Sequence, residues 1–181
     1  TAYTFLKSED ERLSITYREL DHRSRSIARG LLQQVEPGDR ALLMYPAGLD
    51  FIAAFLGCLY AGVVAVPAYP PRKNRNAERI LSIAHDCAPR LLLCTSETKR
   101  SVEGDFAESV TDASVIITDE IESSNAGSLP ELRADQLAFL QYTSGSTAAP
   151  KGVMVTHGNM VANEMLIQSY FEFTKESIMI S

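Results

Sequence analysis

Short, nearly continuous apolar runs recur along this chain, and the segments between them bring apolar positions back at helical spacing. Positions 41–45 (Ala-Leu-Leu-Met-Tyr), 91–94 (Leu-Leu-Leu-Cys), 115–117 (Val-Ile-Ile) and 137–140 (Leu-Ala-Phe-Leu) read as buried strands. Positions 63–67 read as a further strand that stops at Pro67, because proline has no N–H for a sheet ladder. Leu20, Ile27, Leu31 and Leu32 recur on one side of a helix whose other faces carry Arg18, Arg23, Arg25 and Arg29. Positions 47–62 are apolar on almost every side, with Phe51, Ile52, Phe55 and Leu56 among small residues, which predicts a helix packed within a core. A third helix over 76–86 turns Ile80, Leu81 and Ile83 inward. A last strand at 153–155 leads into a helix running to about position 171.

Local signals sharpen these boundaries. Positions 14–17 are extended, and Thr16 with Glu19 forms a capping box at the start of the first helix. Glu36-Pro37-Gly38-Asp39 is a turn, and Thr156 is an N-cap for the final helix. Pro70 and Pro71 hold positions 68–76 extended, and Arg72, Lys73, Arg75 and Arg79 make the densest positive cluster there. That cluster fits either a solvated loop or a surface that steers a polyanion. Positions 120–130 are polar, rich in turn formers, and read as a flexible connection. Strands alternating with helices give an α/β fold, a mostly parallel sheet flanked by helices.

The length of 181 residues suits one domain or a sizeable piece of one, and 45% hydrophobic with 22% charged residues is enough for a core. A net charge of −6 argues against nucleic acid as a partner. No run reaches the roughly 18–20 apolar residues of a transmembrane segment, and the first eleven positions lack a secretory signal. Cys58, Cys87 and Cys94 are odd in number and without metal-ligand spacing; Cys58 and Cys94 lie in apolar runs, which fits a reducing, cytoplasmic setting.

Candidate chemistry concentrates at 142–152, Tyr-Thr-Ser-Gly-Ser-Thr-Ala-Ala-Pro-Lys-Gly. Tyr142, Thr143, Ser144, Ser146 and Thr147 supply hydroxyls, Gly145 lets backbone approach a ligand, and Lys151 adds a positive charge. Such a set can cradle an anion, although the same residue types between apolar runs also make ordinary turns. It is not the P-loop, since Lys151 lies between Pro150 and Gly152. Nor is it a serine-nucleophile site, as no G-x-S-x-G elbow surrounds Ser144 or Ser146. His157 has no Ser-His-Asp or metal-ligand spacing and reads as a cap or packing residue.

The stretch resembles the phosphate-binding loop of the adenylate-forming (AMP-binding) superfamily, [YF]-T-S-G-[ST]-T-G-x-P-K-G-V, with one departure: Ala148 stands at a glycine position. Thr16-Tyr-Arg-Glu-Leu20, Gly38-Asp-Arg40 and the pattern over 51–67 resemble other segments of that family. Pro67-Ala-Tyr-Pro-Pro-Arg72, with Arg79, Ile83 and Asp86, is most similar to the fatty acyl-AMP ligase branch. The resemblance implies that 1–181 is a partial AMP-binding domain, the N-terminal portion of the large domain, with the C-terminal lid domain and its adenylation lysine absent. It therefore implies no catalytic residue in this piece.

For the whole protein it implies ATP-dependent activation of a fatty acid to an acyl-adenylate with release of pyrophosphate. Transfer to the phosphopantetheine thiol of an acyl carrier protein follows, as a starter for polyketide or lipopeptide synthesis. Thr143, Ser144, Gly145, Ser146, Thr147 and Lys151 would hold the phosphates, with ATP and Mg²⁺ as cofactors and no metal ligands in this stretch. An acyl-CoA synthetase is the alternative within the family, and a non-catalytic nucleotide- or carrier-binding module the alternative outside it.

Overall fold

The computed structural model describes residues 1–7, 11–71, 77–122, 127–143, 150–174 and 177–179. The elements are, in order, β1 (Tyr3–Leu6), β2 (Arg12–Ile15), α1 (Tyr17–Leu31), β3 (Arg40–Met44), α2 (Leu49–Ala61), β4 (Val64–Ala68) and α3 (Ala77–Cys87). They continue as β5 (Leu91–Cys94), α4 (Lys99–Val102), α5 (Asp105–Ser109), β6 (Ser114–Ile117), β7 (Leu137–Thr143), β8 (Lys151–Thr156) and α6 (His157–Phe171).

β1 and β2 form an antiparallel hairpin that delivers the chain to α1. The predicted capping box is present there: Thr16 Oγ1 accepts from the Glu19 N–H at 3.2 Å, and the Glu19 carboxylate accepts from the Thr16 N–H at 2.8 Å. Leu20, Ile27 and Leu31 are buried as their spacing requires.

The other six strands form one sheet in the order β6-β5-β3-β4-β7-β8, parallel except for the antiparallel pair β7–β8 at one edge. The chain steps from β3 to β4 through α2, crosses back through α3 to β5 on the other side of β3, and continues outward to β6. Since such crossovers are right-handed, reversing direction puts the connecting helices on opposite faces. The core divides accordingly. Ala41, Leu43 and Tyr45 pack with Ile27, Leu31, Ala54 and Cys58 of α1 and α2, whereas Leu42 and Met44 pack with Ile80, Ile83 and Cys87 of α3. The two-residue period of β3 thus feeds two cores, which is why its sequence is apolar without alternation.

Several boundaries differ from expectation. β4 does not stop at Pro67 but runs through it to Ala68, paired with Leu43 and Met44 of β3. Val64 directs its N–H to Asp39 O on the β3 side, so alternation turns residue 67 toward β7, where the ladder registers only at Ala65↔Phe139. The missing N–H of Pro67 therefore breaks no β3–β4 bond. β7 is longer than predicted, taking Tyr142 and Thr143 out of the loop and into the strand.

All three cysteines are free and buried, and burial pushes the thiols up, to about 12 for Cys87 and about 11 for Cys94. They are packing residues, not nucleophiles. Among the described residues no helix is long and apolar enough to cross a membrane.

Candidate active site

Parallel strands bring their carboxyl ends to one edge of the sheet. β7 is parallel to β4, so the chain leaving Thr143 departs at the same edge as the ends of β3, β4 and β5. Strand order reverses between β3 and β4, and in open α/β sheets that reversal opens a crevice where ligands bind.

The crevice is occupied by a cavity of about 390 Å³. The residues after β3 (Tyr45, Pro46, Ala47) and the end of β4 (Pro67, Ala68, Tyr69) form its walls, with Phe51 from α2, Ile80 and Ile83 from α3, and Tyr142 from β7. Arg79 and Gln141 are its polar side chains besides the tyrosine hydroxyls. Tyr45 is committed elsewhere: its hydroxyl is bonded to Thr118 Oγ1 at 2.9 Å, and burial raises its phenol well above the usual range, so it contributes a ring. An apolar cavity with one guanidinium at its wall suits an apolar molecule that carries an anionic group.

Beside the cavity stand the two stalks of the hydroxyl-rich segment. β7 and β8 pair Tyr142 with Gly152 and Thr143 with Lys151. Of the six expected phosphate-binding residues, the structure thus places Thr143 and Lys151 opposite one another, both exposed. Ser144, Gly145, Ser146 and Thr147 lie outside the described residues, as do Ala148 and, in the basic cluster, Arg72, Lys73 and Arg75. Arg79 is described, and it faces the cavity.

Tyr142 ties the stalks to the body of the fold. Its side chain is buried, its hydroxyl donates to Asp86 Oδ2 on α3 at 2.5 Å, and its ring lies against Gly152. Burial first, and the hydrogen bond to Asp86 second, raise its phenol far above the ordinary value, so it is a neutral donor.

His157 opens α6, where its backbone N–H donates to Gln136 O at 3.0 Å. Burial lowers its imidazole below the ordinary value and Nε2 has no partner among the described residues, so it packs, as its sequence context indicates. No cluster of three or more His, Cys, Asp or Glu side chains able to hold a metal occurs among the described residues.

A family model described as "AMP-binding enzyme" matches residues 1–181. The chain belongs to the AMP-binding enzyme family. Among similar proteins, JamA of Moorena producens (strain JHB), a medium-chain-fatty-acid–acyl-carrier-protein ligase by name, is 43% identical over 190 residues, covering 98% of this chain and 31% of that one. FadD21 of Mycobacterium tuberculosis (strain ATCC 25618 / H37Rv), named a putative fatty-acid–CoA ligase, is 37% identical over 180 residues, covering 94% and 31%. The crystal structure of a fatty acyl-adenylate ligase from L. pneumophila, in complex with acyl adenylate and pyrophosphate, superposes with a TM-score of 0.86 at 36% identity, covering 96% of this chain and 30% of that one. The chain thus spans just under a third of the length of these relatives.

For an AMP-binding enzyme the arrangement is coherent. The strand ends that bracket the hydroxyl-rich segment and an apolar cavity share one sheet edge, joined through Tyr142, which belongs to both. Sequence reading found the segment from its hydroxyls and its lysine. It missed the cavity and the Asp86 contact, because the cavity is assembled from the ends of three strands and two helices. The one signal available was Pro67-Ala-Tyr-Pro-Pro71, a break in apolar character at the end of a buried strand.

Proposed function

We propose that residues 1–181 form the N-terminal portion of the large domain of a fatty acyl-AMP ligase. The observation that carries this reading is the pairing of Thr143 with Lys151 at the carboxyl edge, next to an apolar cavity walled in part by Arg79. The names of the relatives, and the acyl adenylate and pyrophosphate in the L. pneumophila structure, support fatty acid as the carboxylate substrate and ATP as the nucleotide.

In the reaction, a carboxylate oxygen of the fatty acid bonds to the α-phosphorus of ATP while the bond to the β-phosphate oxygen breaks and pyrophosphate leaves. The thiol sulfur of the acceptor then attacks the acyl carbonyl, AMP departs and the thiol proton is released. Both partners of the first step are anions, so fixed positive charge and donors near the phosphates lower its barrier. Thr143 and Lys151, with Ser144, Gly145, Ser146 and Thr147 between them, would orient the β- and γ-phosphates and hold pyrophosphate as it leaves. Lys151 suits this role: it is exposed and, among the described residues, forms no ion pair.

Magnesium fits as a companion of the nucleotide. The described residues offer no carboxylate cage, and Mg²⁺ is commonly held by substrate phosphates with only one or two protein ligands. Bound there, it would neutralise phosphate charge during the displacement. Three free, buried thiols fit a reducing compartment, and we place the protein in the cytoplasm.

The acceptor we propose is the phosphopantetheine thiol of an acyl carrier protein, a reading supported by the name of JamA, an acyl-carrier-protein ligase. Coenzyme A is the second reading, favoured by the name of FadD21. Incubating the intact protein with dodecanoate and ATP·Mg²⁺, with either carrier protein or coenzyme A present, separates them. Adenylate that moves to the carrier alone supports the first reading, and ready thioester formation with coenzyme A supports the second. ATP binding without adenylate formation from any carboxylate would overturn both and leave a binding module.

A further inference from the structure

The hydroxyl of Tyr142 reaches Asp86 Oδ2 at 2.5 Å across a sequence separation of 56 residues, from the end of β7 to the last turn of α3. The same ring occupies the space above Gly152, the Cα partner of Tyr142 on the β8 stalk, where an added Cβ would sit 2.9 Å from Cζ. One side chain thus meets both stalks, and beyond its packing against α3 its one hydrogen bond to the helical layer among the described residues is to Asp86. The next pair along the ladder is Thr143↔Lys151. Whatever fixes the Tyr142 ring therefore fixes the platform from which these two project. α3 also carries Arg79, Ile80 and Ile83, which wall the cavity, so the same hydrogen bond sets the stalks relative to the cavity.

We propose that Asp86, acting through Tyr142, is a positioning residue for nucleotide phosphates: it locks the Tyr142 ring against Gly152 and thereby holds Thr143 and Lys151 in register beside the cavity. This rests on the reading of the segment as a phosphate site. A carboxylate accepting from a buried, neutral phenol is a charge-assisted bond, stronger than one between neutral groups. Asparagine keeps an acceptor oxygen at nearly the same place, whereas alanine removes it.

The test compares Asp86→Ala, Asp86→Asn, Tyr142→Phe and the double variant Asp86→Ala/Tyr142→Phe in the intact protein. The readouts are the KM values for ATP and for dodecanoate in pyrophosphate release, and ATP binding by calorimetry. Asp86→Ala and Tyr142→Phe are each expected to raise the KM and Kd for ATP about tenfold, the effect of losing one charge-assisted hydrogen bond. The KM for dodecanoate is expected to stay within about twofold, and Asp86→Asn to recover most of the ATP affinity, as a positioning role requires. The double variant should be no worse than either single one, because both remove the same contact. Equal losses for ATP and dodecanoate, additive losses in the double variant, or unchanged ATP affinity in Asp86→Ala would each overturn the proposal. A wild-type protein that binds no ATP would instead overturn the phosphate-site reading beneath it.

Discussion

Tyr142 and Gly152 face each other across the β7–β8 ladder so closely that a Cβ at position 152 would lie 2.9 Å from the tyrosine Cζ, inside any normal contact distance. Glycine is needed there for space. Gly152→Ala must displace a ring that is also held by Asp86, and overpacking of this kind costs about 1–3 kcal/mol. Urea denaturation should show that loss, together with weaker ATP binding than any comparable substitution on the exposed side of β8 produces.

Gly57 plays the corresponding part in the core. A Cβ there would come 2.7 Å from Ile27 Cγ2 and 3.2 Å from the Ser24 carbonyl oxygen, so α1 and α2 meet over a bare backbone. Alanine recovers roughly 0.5–1 kcal/mol of helix propensity over glycine, and the clash costs about 1–3 kcal/mol. Gly57→Ala is therefore expected to lower the urea midpoint, whereas Gly57→Ala combined with Ile27→Val should recover part of the loss. A single variant as stable as wild type would show that α1 shifts freely over α2.

The pairing of Thr143 with Lys151 puts a positive charge where β8 leaves the segment proposed to bind phosphate. Lys151→Ala is expected to raise the KM for ATP by about tenfold to a hundredfold, matching loss of a hydrogen bond to a charged group. Melting temperature should change little, since the side chain is exposed. Lys151→Arg should retain part of the affinity. Initial rates at varied ATP check both.

His157 predicts the acid side of the stability profile. Burial lowers its imidazole below the ordinary value of 6.5, so the folded chain binds its proton less readily than the unfolded chain does. Above 6.5 both states are neutral there and the group adds no pH dependence. As pH falls below 6.5 toward the lower folded value, the unfolded state takes the proton first and stability is lost. Between pH ~7.5 and ~5.5, His157→Gln should lose less stability than wild type in parallel urea titrations. Equal losses would show that the imidazole is solvated.

Much of the fold is legible in the sequence because both faces of the sheet are buried. β3 and β5 carry unbroken apolar runs that no exposed element would tolerate, and Thr16 and Glu19 mark the start of α1 through chemistry confined to one turn. β1 was not legible, since its residues are mostly exposed and carry no core pattern, and α4 and α5 are too short for a helical period to register. The segment proposed to bind phosphate stands out in the sequence because its hydroxyls and lysine are contiguous. The contact that seats it does not, because Asp86 and Tyr142 are brought together only by the reversal of strand order around β3.

α6 and β8 carry a further expectation. Among the described residues of α6 none is buried, and Met165 (65% exposed) and Tyr170 (85%), like Met154 (67%) of β8, are large apolar side chains left exposed. Exposed apolar surface of this sort drives association. Residues 1–181 produced alone are expected to elute as oligomers in size-exclusion chromatography, and Met154→Glu with Met165→Glu to shift them toward monomer. A monodisperse monomer that melts cooperatively would contradict this.

The most direct test of the account is exchange of radiolabelled pyrophosphate into ATP by the intact protein, with and without fatty acid. Reversible formation of an acyl-adenylate, with pyrophosphate held at the proposed Thr143–Lys151 site, predicts exchange that requires both dodecanoate and Mg²⁺ and that falls sharply in Lys151→Ala. ATP binding with no carboxylate-dependent exchange, or release of ADP and phosphate in its place, would contradict it.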